Sequence, residues 1–143
     1  MNKKRSRARG LAVQGLYQWQ VAGQDIGAIL TQFLTDPESG SFDHAYFSDL
    51  LKGVPTRLTE LDQMLEPYLD RAIGRVDPVE RAILRLGAYE LTAHPETPYR
   101  VVINEMVELA KTYGAEKGHR YVNGVLDKLA RERRAVEVRA RGT

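Results

Sequence analysis

The chain has 143 residues, no cysteine and a formal net charge of +2. This length fits one domain that buries a core without disulfides, and the missing cysteine excludes disulfides, iron–sulfur clusters and thiol chemistry. No apolar run is long enough for a signal peptide or a membrane span, so we expect a cytoplasmic protein with no membrane contact.

The net charge hides an uneven distribution along the chain. Residues 1–24 carry +5 and residues 131–143 carry +3, so the stretch between them carries −6. Such a chain attracts polyanions at its ends and repels them elsewhere, which is typical of a localised anion-binding site. We predict one helical domain over residues 1–130 and a flexible basic tail over residues 131–143.

Helical periodicity predicts the first helix over about residues 5–22, ended by Gly23. Its start is basic, with Lys3, Lys4, Arg5, Arg7 and Arg9. Arg5 and Arg9 are four residues apart and share one helical face, where they would contact successive phosphates. A solvated, partly disordered end is the alternative interpretation of these bases.

Further helices are predicted to begin near Asp25, Asp43 and Asp77. At Asp77 the proline and glutamate that follow form a capping-box pattern, the clearest helix start in the chain. Pro55 is expected to break or kink the helical pattern that runs through it. Glu90 falls on the buried stripe of the helix after Asp77, where a carboxylate needs a partner.

Two amphipathic patterns, over about residues 99–113 and 119–129, flank a short junction. Gly114 ends the first helix, and Gly118 is predicted as the N-cap of the next. The junction holds Lys117, Arg120 and Tyr121, and this combination of cations and a ring suits single-stranded nucleic acid. Alternatively, Tyr121 packs on the core and the basic side chains form a solvated rim. The residues of the junction alone favour this second interpretation.

The predicted fold is all-α, a compact bundle of about seven helices, arranged as one unit or as two subbundles sharing one core. No pattern indicates catalysis, a metal or a cofactor: the three histidines are scattered, and neither phosphate-binding glycine motif occurs. We therefore predict a non-enzyme. RNA is favoured over duplex DNA because no recognition helix follows a short turn, and an arginine cluster near a ring suits unpaired bases.

Several runs of residues, spread along nearly the whole chain, match the motifs of one protein family in the same order. They are Arg5 to Gln20, Tyr46-Phe47 with Leu50-Leu51 and Gly53-Val54, Val79 to Arg85 with Tyr89-Glu90-Leu91, Val102 to Glu105 with Leu109-Ala110-Lys111 and Tyr113-Gly114, and Tyr121 to Asp127. Together these runs resemble the NusB family of bacterial transcription antitermination factors.

The resemblance implies a factor that binds single-stranded boxA RNA of ribosomal RNA transcripts together with NusE, a ribosomal protein, and promotes processive elongation by the transcription elongation complex. It implies no cofactor. It places the RNA surface at the bases of the first helix and at Lys117, Arg120 and Tyr121, and the NusE surface at Tyr17 and Glu80.

Two departures from the family pattern bear on RNA binding. Gly118 stands where the family often has serine, and Tyr121 where it often has phenylalanine. We expect modest RNA affinity for the chain alone, with the partner supplying the rest. The alternative function is a helical protein–protein interaction module, or a homodimer, without sequence-specific RNA binding.

Overall fold

A computed structural model describes residues 2–142. Within that range the chain forms eight α-helices, three 3₁₀ turns and no strand. The α-helices are α1 (Lys3–Ala22), α2 (Ile26–Thr35), α3 (His44–Thr56), α4 (Leu58–Leu65), α5 (Pro78–Ala93), α6 (Tyr99–Tyr113), α7 (Gly118–Arg133) and α8 (Ala135–Gly142), and the 3₁₀ turns cover Pro37–Ser39, Glu66–Tyr68 and Ile73–Arg75. The predicted all-α fold is confirmed, with one helix more than expected.

The helix starts follow the predicted capping signals. The side chains of Asp25, Asp43 and Asp77 each accept hydrogen bonds from backbone N–H groups of the turn that follows. Such caps satisfy donors that have no partner inside the helix. At the other end of α1, Gly23 takes a left-handed conformation with φ 66, as predicted.

The junction before α7 differs from its predicted geometry. Lys117, not Gly118, is the N-cap residue, and its φ of 73 is the only positive φ of a non-glycine residue among residues 2–142. Gly118 is the first residue of α7, where a Cβ would lie 2.2 Å from Oε2 of Glu80. The missing side chain therefore allows the Glu80 carboxylate to approach the start of α7.

Helix α5 lies at the centre of the molecule, in contact with α1, α3, α4, α6 and α7. Its buried stripe joins one continuous core, whose largest fully buried side chains include Leu16, Ile29, Phe47, Leu50, Leu51, Leu61, Leu65, Ile83, Leu86 and Met106. This core makes the bundle one unit. None of the helices in residues 2–142 has both the length and the apolar character that a bilayer crossing requires.

The predicted flexible tail is helical in the structure. Helix α7 continues to Arg133, α8 follows, and Val138 of α8 packs against the core. Arg134, between the two helices, has only 8% of its surface exposed. Thr143, the last residue of the predicted tail, lies outside the described residues.

The guanidinium of Arg134 binds the end of α5. It donates hydrogen bonds to the carbonyl oxygens of Leu91, His94 and Thr97 at distances of 2.8–3.0 Å, and to Glu137 at 2.6 Å. Carbonyls at a helix end have no intrahelical donor, so a buried cation there replaces water. The predicted domain boundary at residue 130 is therefore too early, because Arg134 belongs to the packed domain.

Gly53 marks the closest approach of α3 to α5. A Cβ at Gly53 would lie 2.2 Å from Cζ of Tyr89, whose hydroxyl donates a hydrogen bond to Asp49. Alanine favours a helix over glycine by about 1 kcal/mol, whereas overpacking costs about 1–3 kcal/mol. We expect Gly53→Ala to lower the free energy of unfolding by up to about 2 kcal/mol in urea denaturation.

Gly124 provides a matched control for that substitution. It is an exposed glycine in α7, and a Cβ there would meet nothing within 4 Å. Gly124→Ala should raise the free energy of unfolding by up to about 1 kcal/mol. Stabilisation by both substitutions would contradict the close α3–α5 contact.

Candidate nucleic-acid interface

The exposed bases at the start of α1 form a cationic cluster, which we define as Lys3, Lys4, Arg5 and Arg7. Lys3, Lys4 and Arg7 are exposed, and Arg5 is partly exposed. The Arg7 guanidinium donates to the carbonyl oxygens of Ser39 and Glu38, at 2.9 and 3.3 Å. The cationic cluster therefore lies beside the 3₁₀ turn that precedes α3.

The ring of Tyr46 packs against Arg5 of the cationic cluster. The Arg5 guanidinium lies 4.3 Å from the centroid of the Tyr46 ring, and its Nε lies 3.7 Å from Oδ2 of Asp43. A cation over an aromatic face gains electrostatic attraction from the ring. This role of Tyr46 was not predicted from the sequence, although the residue occurs in one of the runs that resemble the family.

Arg9 lies in the core and not on the RNA surface predicted from the sequence. Only 3% of its surface is exposed. Its guanidinium donates two hydrogen bonds to Glu90, at 2.7 and 2.9 Å, and one to Glu105 at 2.6 Å. Glu90 is fully buried and also accepts a hydrogen bond from the Tyr46 hydroxyl.

The electrostatics of this pair explain why Arg9 stays charged in the core. Burial alone lowers the pKa of the Arg9 guanidinium, but the hydrogen bonds and the charge of Glu90 raise it above its ordinary range. Arg9 is thus the partner that the buried Glu90 was predicted to need. Arg9 was predicted to contact RNA phosphates, but in this structure its guanidinium is held inside the protein by its bonds to Glu90 and Glu105.

The second predicted RNA segment is only partly open to a ligand. Lys117 and Arg120 are exposed. The ring of Tyr121 packs against the core, its hydroxyl accepts a hydrogen bond from the Asp70 N–H, and the Arg71 guanidinium lies 5.4 Å from the ring centroid. The core-packing alternative therefore describes Tyr121 better than an open stacking platform.

The two predicted RNA segments lie at different ends of α6. The Ser6 hydroxyl donates a hydrogen bond to Glu105 in the first half of α6, and Gln14 donates one to Tyr113 at its last residue. Helix α1 thus runs alongside α6 in the same direction. Because α6 has 15 residues and is about 22 Å long, the structure separates the cationic cluster from Lys117 and Arg120.

Tyr17 and Glu80, the predicted partner contacts, differ in accessibility. Tyr17 is 40% exposed and lines a shallow groove of about 320 Å³ together with Val13, Gln14, Gln18, Val79 and Tyr113. Glu80 is only 8% exposed, and its carboxylate faces the start of α7. Burial and the charge of Asp77 raise the pKa of Glu80. Only Tyr17 is presented to a partner in this conformation.

The turn between α5 and α6 holds a histidine between two carboxylates. His94 Nε2 lies 2.6 Å from Asp49, and Nδ1 lies 2.9 Å from Glu96. Burial alone lowers the pKa of His94, but the hydrogen bonds and charges of Asp49 and Glu96 together raise it above its ordinary value. Within residues 2–142, no group of three acidic or histidine side chains is placed to hold a metal ion.

This arrangement makes stability depend on pH. Because the pKa of His94 is higher in the folded than in the unfolded chain, its stabilisation is complete below about pH 6.5 and is lost as the pH rises through the folded value. We expect His94→Gln to cost about 0.5–1 kcal/mol at pH 6 and less at pH 9. Urea denaturation at both pH values measures this difference, and an equal cost at both would contradict it.

The fold and this surface define a class: a small, single-core, all-helical domain with a cationic helix end suited to nucleic acid. Residues 6–131 match the model of the NusB family, and the chain belongs to that family. It is 60% identical to the transcription antitermination protein NusB of Nitrosococcus oceani, over 99% of this chain and 95% of that protein. The corresponding protein of Alkalilimnicola ehrlichii is 52% identical, over 96% of this chain and 88% of its own length.

Solved structures agree with this assignment. NusB of T. maritima superposes with a TM-score of 0.81 at 31% identity, covering 92% of this chain and 94% of that one. A complex of the antitermination factors NusB and NusE with double-stranded RNA contains a chain that matches with a TM-score of 0.83 at 29% identity, covering 92% and 99%. The resemblance seen in the sequence is confirmed.

Proposed function

We propose that the chain is a transcription antitermination factor that binds single-stranded boxA RNA of ribosomal RNA transcripts together with NusE. The observation that supports RNA binding is the cationic cluster. It consists of three exposed basic side chains and one arginine that packs on an aromatic ring. The middle stretch of the chain, in contrast, has a net charge of −6. The names of its relatives and the solved complex of NusB, NusE and RNA support the role. The proposed role needs no catalytic group or cofactor and places the chain in the cytoplasm with the elongation complex.

The NusE contact is proposed at the groove around Tyr17. This groove is mainly apolar, and Tyr17 and Tyr113 are both about 40% exposed on its walls. Tyrosines at the centre of an interface often carry much of its binding energy. Glu80 would join this contact only after its carboxylate leaves the start of α7.

The RNA part is tested by replacing Lys3, Lys4 and Arg7 together with alanine. Because each contributes a phosphate contact, we expect boxA affinity to fall at least tenfold. The slope of log affinity against log salt should decrease by about 2, at about 0.7 per lost contact with a single strand. Fluorescence anisotropy at several salt concentrations measures both quantities, and circular dichroism verifies the fold.

Lys52→Ala/Lys128→Ala is the matched control, since both lysines are exposed on α3 and α7 outside the cationic cluster. It should leave boxA affinity within about twofold. Equal binding of boxA and a scrambled RNA, with or without NusE, would contradict the proposed function. That result would favour a protein-interaction module, whose homodimer form light scattering would detect.

The NusE part is tested by Tyr17→Ala. We expect NusE affinity to fall about fivefold or more, since truncating a central tyrosine removes more than about 1 kcal/mol of binding energy. Calorimetry with NusE measures this loss. RNA binding by the variant alone should be unchanged, and an unchanged NusE affinity would place that contact elsewhere.

A further inference from the structure

A groove of about 380 Å³ lies beside the cationic cluster, between the start of α1 and the turn that leads into α6. The proposed function assigns it no role. The side chains that matter here are Arg5 and Ser6 from α1, Thr97 and Pro98 from the turn, and Val101 and Asn104 from α6. The groove is thus formed by segments about 90 residues apart in the sequence.

The charges around this groove are balanced internally. Arg9 at its base is paired with Glu90 and Glu105, and the Glu96 carboxylate at its edge is paired with His94. The groove therefore presents little net charge, whereas Lys3 and Lys4 lie on the same end of α1. Phosphates favour the exposed cations, and a neutral interior favours an uncharged group.

A buried hydroxyl group that lacks a hydrogen bond of acceptable geometry lines this groove. Nε of Arg5 also makes no hydrogen bond within residues 2–142, but it lies 3.7 Å from Oδ2 of Asp43, at ion-pair distance. Thr97 is 6% exposed, and its Oγ1 likewise has no partner of acceptable geometry, although it lies near the Tyr46 hydroxyl. Buried polar atoms in native proteins are normally hydrogen-bonded, so the Thr97 hydroxyl indicates a ligand that supplies the missing partner.

The groove also offers an apolar wall and a free amide. Val101 is 42% exposed, which is unusual for a large apolar side chain in this protein. Asn104 is exposed on the next turn of α6. An amide carries both donors and an acceptor, the combination that matches the edge of a nucleobase, while a flat ring would cover Val101 and Pro98.

We propose that the groove holds one unpaired nucleobase of the RNA strand whose phosphates contact the cationic cluster. The base packs against Val101 and Pro98, and its edge meets the amide of Asn104 and the Thr97 hydroxyl. Unpaired bases are read in this way, by apolar or stacking contact with the ring and hydrogen bonds to the edge. This inference rests on the proposed function and adds a site of base selection to it.

The experiment is an abasic scan of the boxA RNA. Each nucleotide in turn is replaced by an abasic site, and the dissociation constant is measured by fluorescence anisotropy for the unmodified protein and for Asn104→Ala. For the unmodified protein we expect one position at which loss of the base weakens binding about tenfold or more. In Asn104→Ala the loss at that position should shrink to about threefold or less, with the salt dependence unchanged.

Asn123→Ala is the matched control, because Asn123 is an exposed asparagine on α7 outside the groove. It should reproduce the abasic profile of the unmodified protein. An abasic profile of Asn104→Ala identical to that of the unmodified protein would contradict the proposed base site. BoxA binding without any base-sensitive position would contradict it too. Neither result would contradict the proposed function. Failure of the unmodified protein to bind boxA RNA with NusE would overturn both proposals.

Discussion

Arg9→Met is expected to lower the free energy of unfolding by about 3–5 kcal/mol, the cost of removing one partner of a buried ion pair. The substitution leaves the carboxylate of Glu90 fully buried, with the Tyr46 hydroxyl as its remaining close partner. It also removes the Arg9 bond to Glu105 of α6 and leaves the bond from the Ser6 hydroxyl to that carboxylate. Urea denaturation followed by circular dichroism measures the loss.

Arg7→Met is the matched control, because Arg7 is an exposed arginine of the same helix that bonds only to backbone carbonyls in the described chain. Its cost should stay below about 1 kcal/mol. Arg9→Met/Glu90→Gln should recover part of the loss, since no uncompensated charge then remains in the core. Equal costs for the two methionine substitutions would contradict the buried pair.

For RNA binding we expect the opposite order: replacing Arg7 should have a larger effect than replacing Arg9. Under conditions where Arg9→Met remains folded, its boxA affinity should stay within about twofold of the unmodified protein, because the Arg9 guanidinium is buried and bonded to Glu90 and Glu105. Arg7→Met should weaken boxA binding and reduce the salt dependence by about 0.7. A larger RNA defect for Arg9→Met than for Arg7→Met would restore the original prediction from the sequence.

Arg134→Ala is expected to cost about 2–4 kcal/mol of unfolding free energy, since it leaves three carbonyl groups, at the end of α5 and in the turn after it, without their charged donor. The same loss should appear in a chain truncated after residue 130, the domain boundary predicted from the sequence. Thermal and urea denaturation measure both.

Arg133→Ala is the matched control for Arg134→Ala. Arg133 is exposed, and its ion pair with Glu132 has an N–O distance of 3.4 Å. Exposed pairs contribute about 0–1 kcal/mol, so the control should be nearly as stable as the unmodified protein. A truncated chain of full stability would contradict the role of Arg134 and support the flexible tail.

The helix pattern was predictable from local signals. Apolar periodicity and the aspartates at residues 25, 43 and 77 indicated where helices begin, and Gly23 indicated where α1 ends. Such signals depend on residues within one or two turns of each other. Helix α8 was missed because its basic residues indicated a solvated tail, and the carbonyls that bind Arg134 lie about 40 residues away.

The site was only partly predictable, because burial depends on distant partners. Arg7 and Arg9 are indistinguishable by local pattern, yet one is exposed and the other pairs with Glu90, 81 residues away. The need of the Glu90 carboxylate for a partner was visible in the sequence, but the identity of the partner was not. Similarly, Glu80 of α5 lies close to Gly118 of α7, and no local sequence pattern indicates that these two residues meet.

The separation of Arg9 from its partners also has a consequence for the order of folding. Glu90 and Glu105 lie 81 and 96 residues after Arg9, so the Arg9 guanidinium has neither of its carboxylate partners until α5 and most of α6 have been synthesised. Contacts between segments so far apart form late and slow the folding of a domain. During translation, the cationic end of α1 is therefore exposed on an incomplete chain, free to attract any polyanion nearby. Arg9 leaves that cationic end and becomes part of the core only when Glu90 and Glu105 are in place.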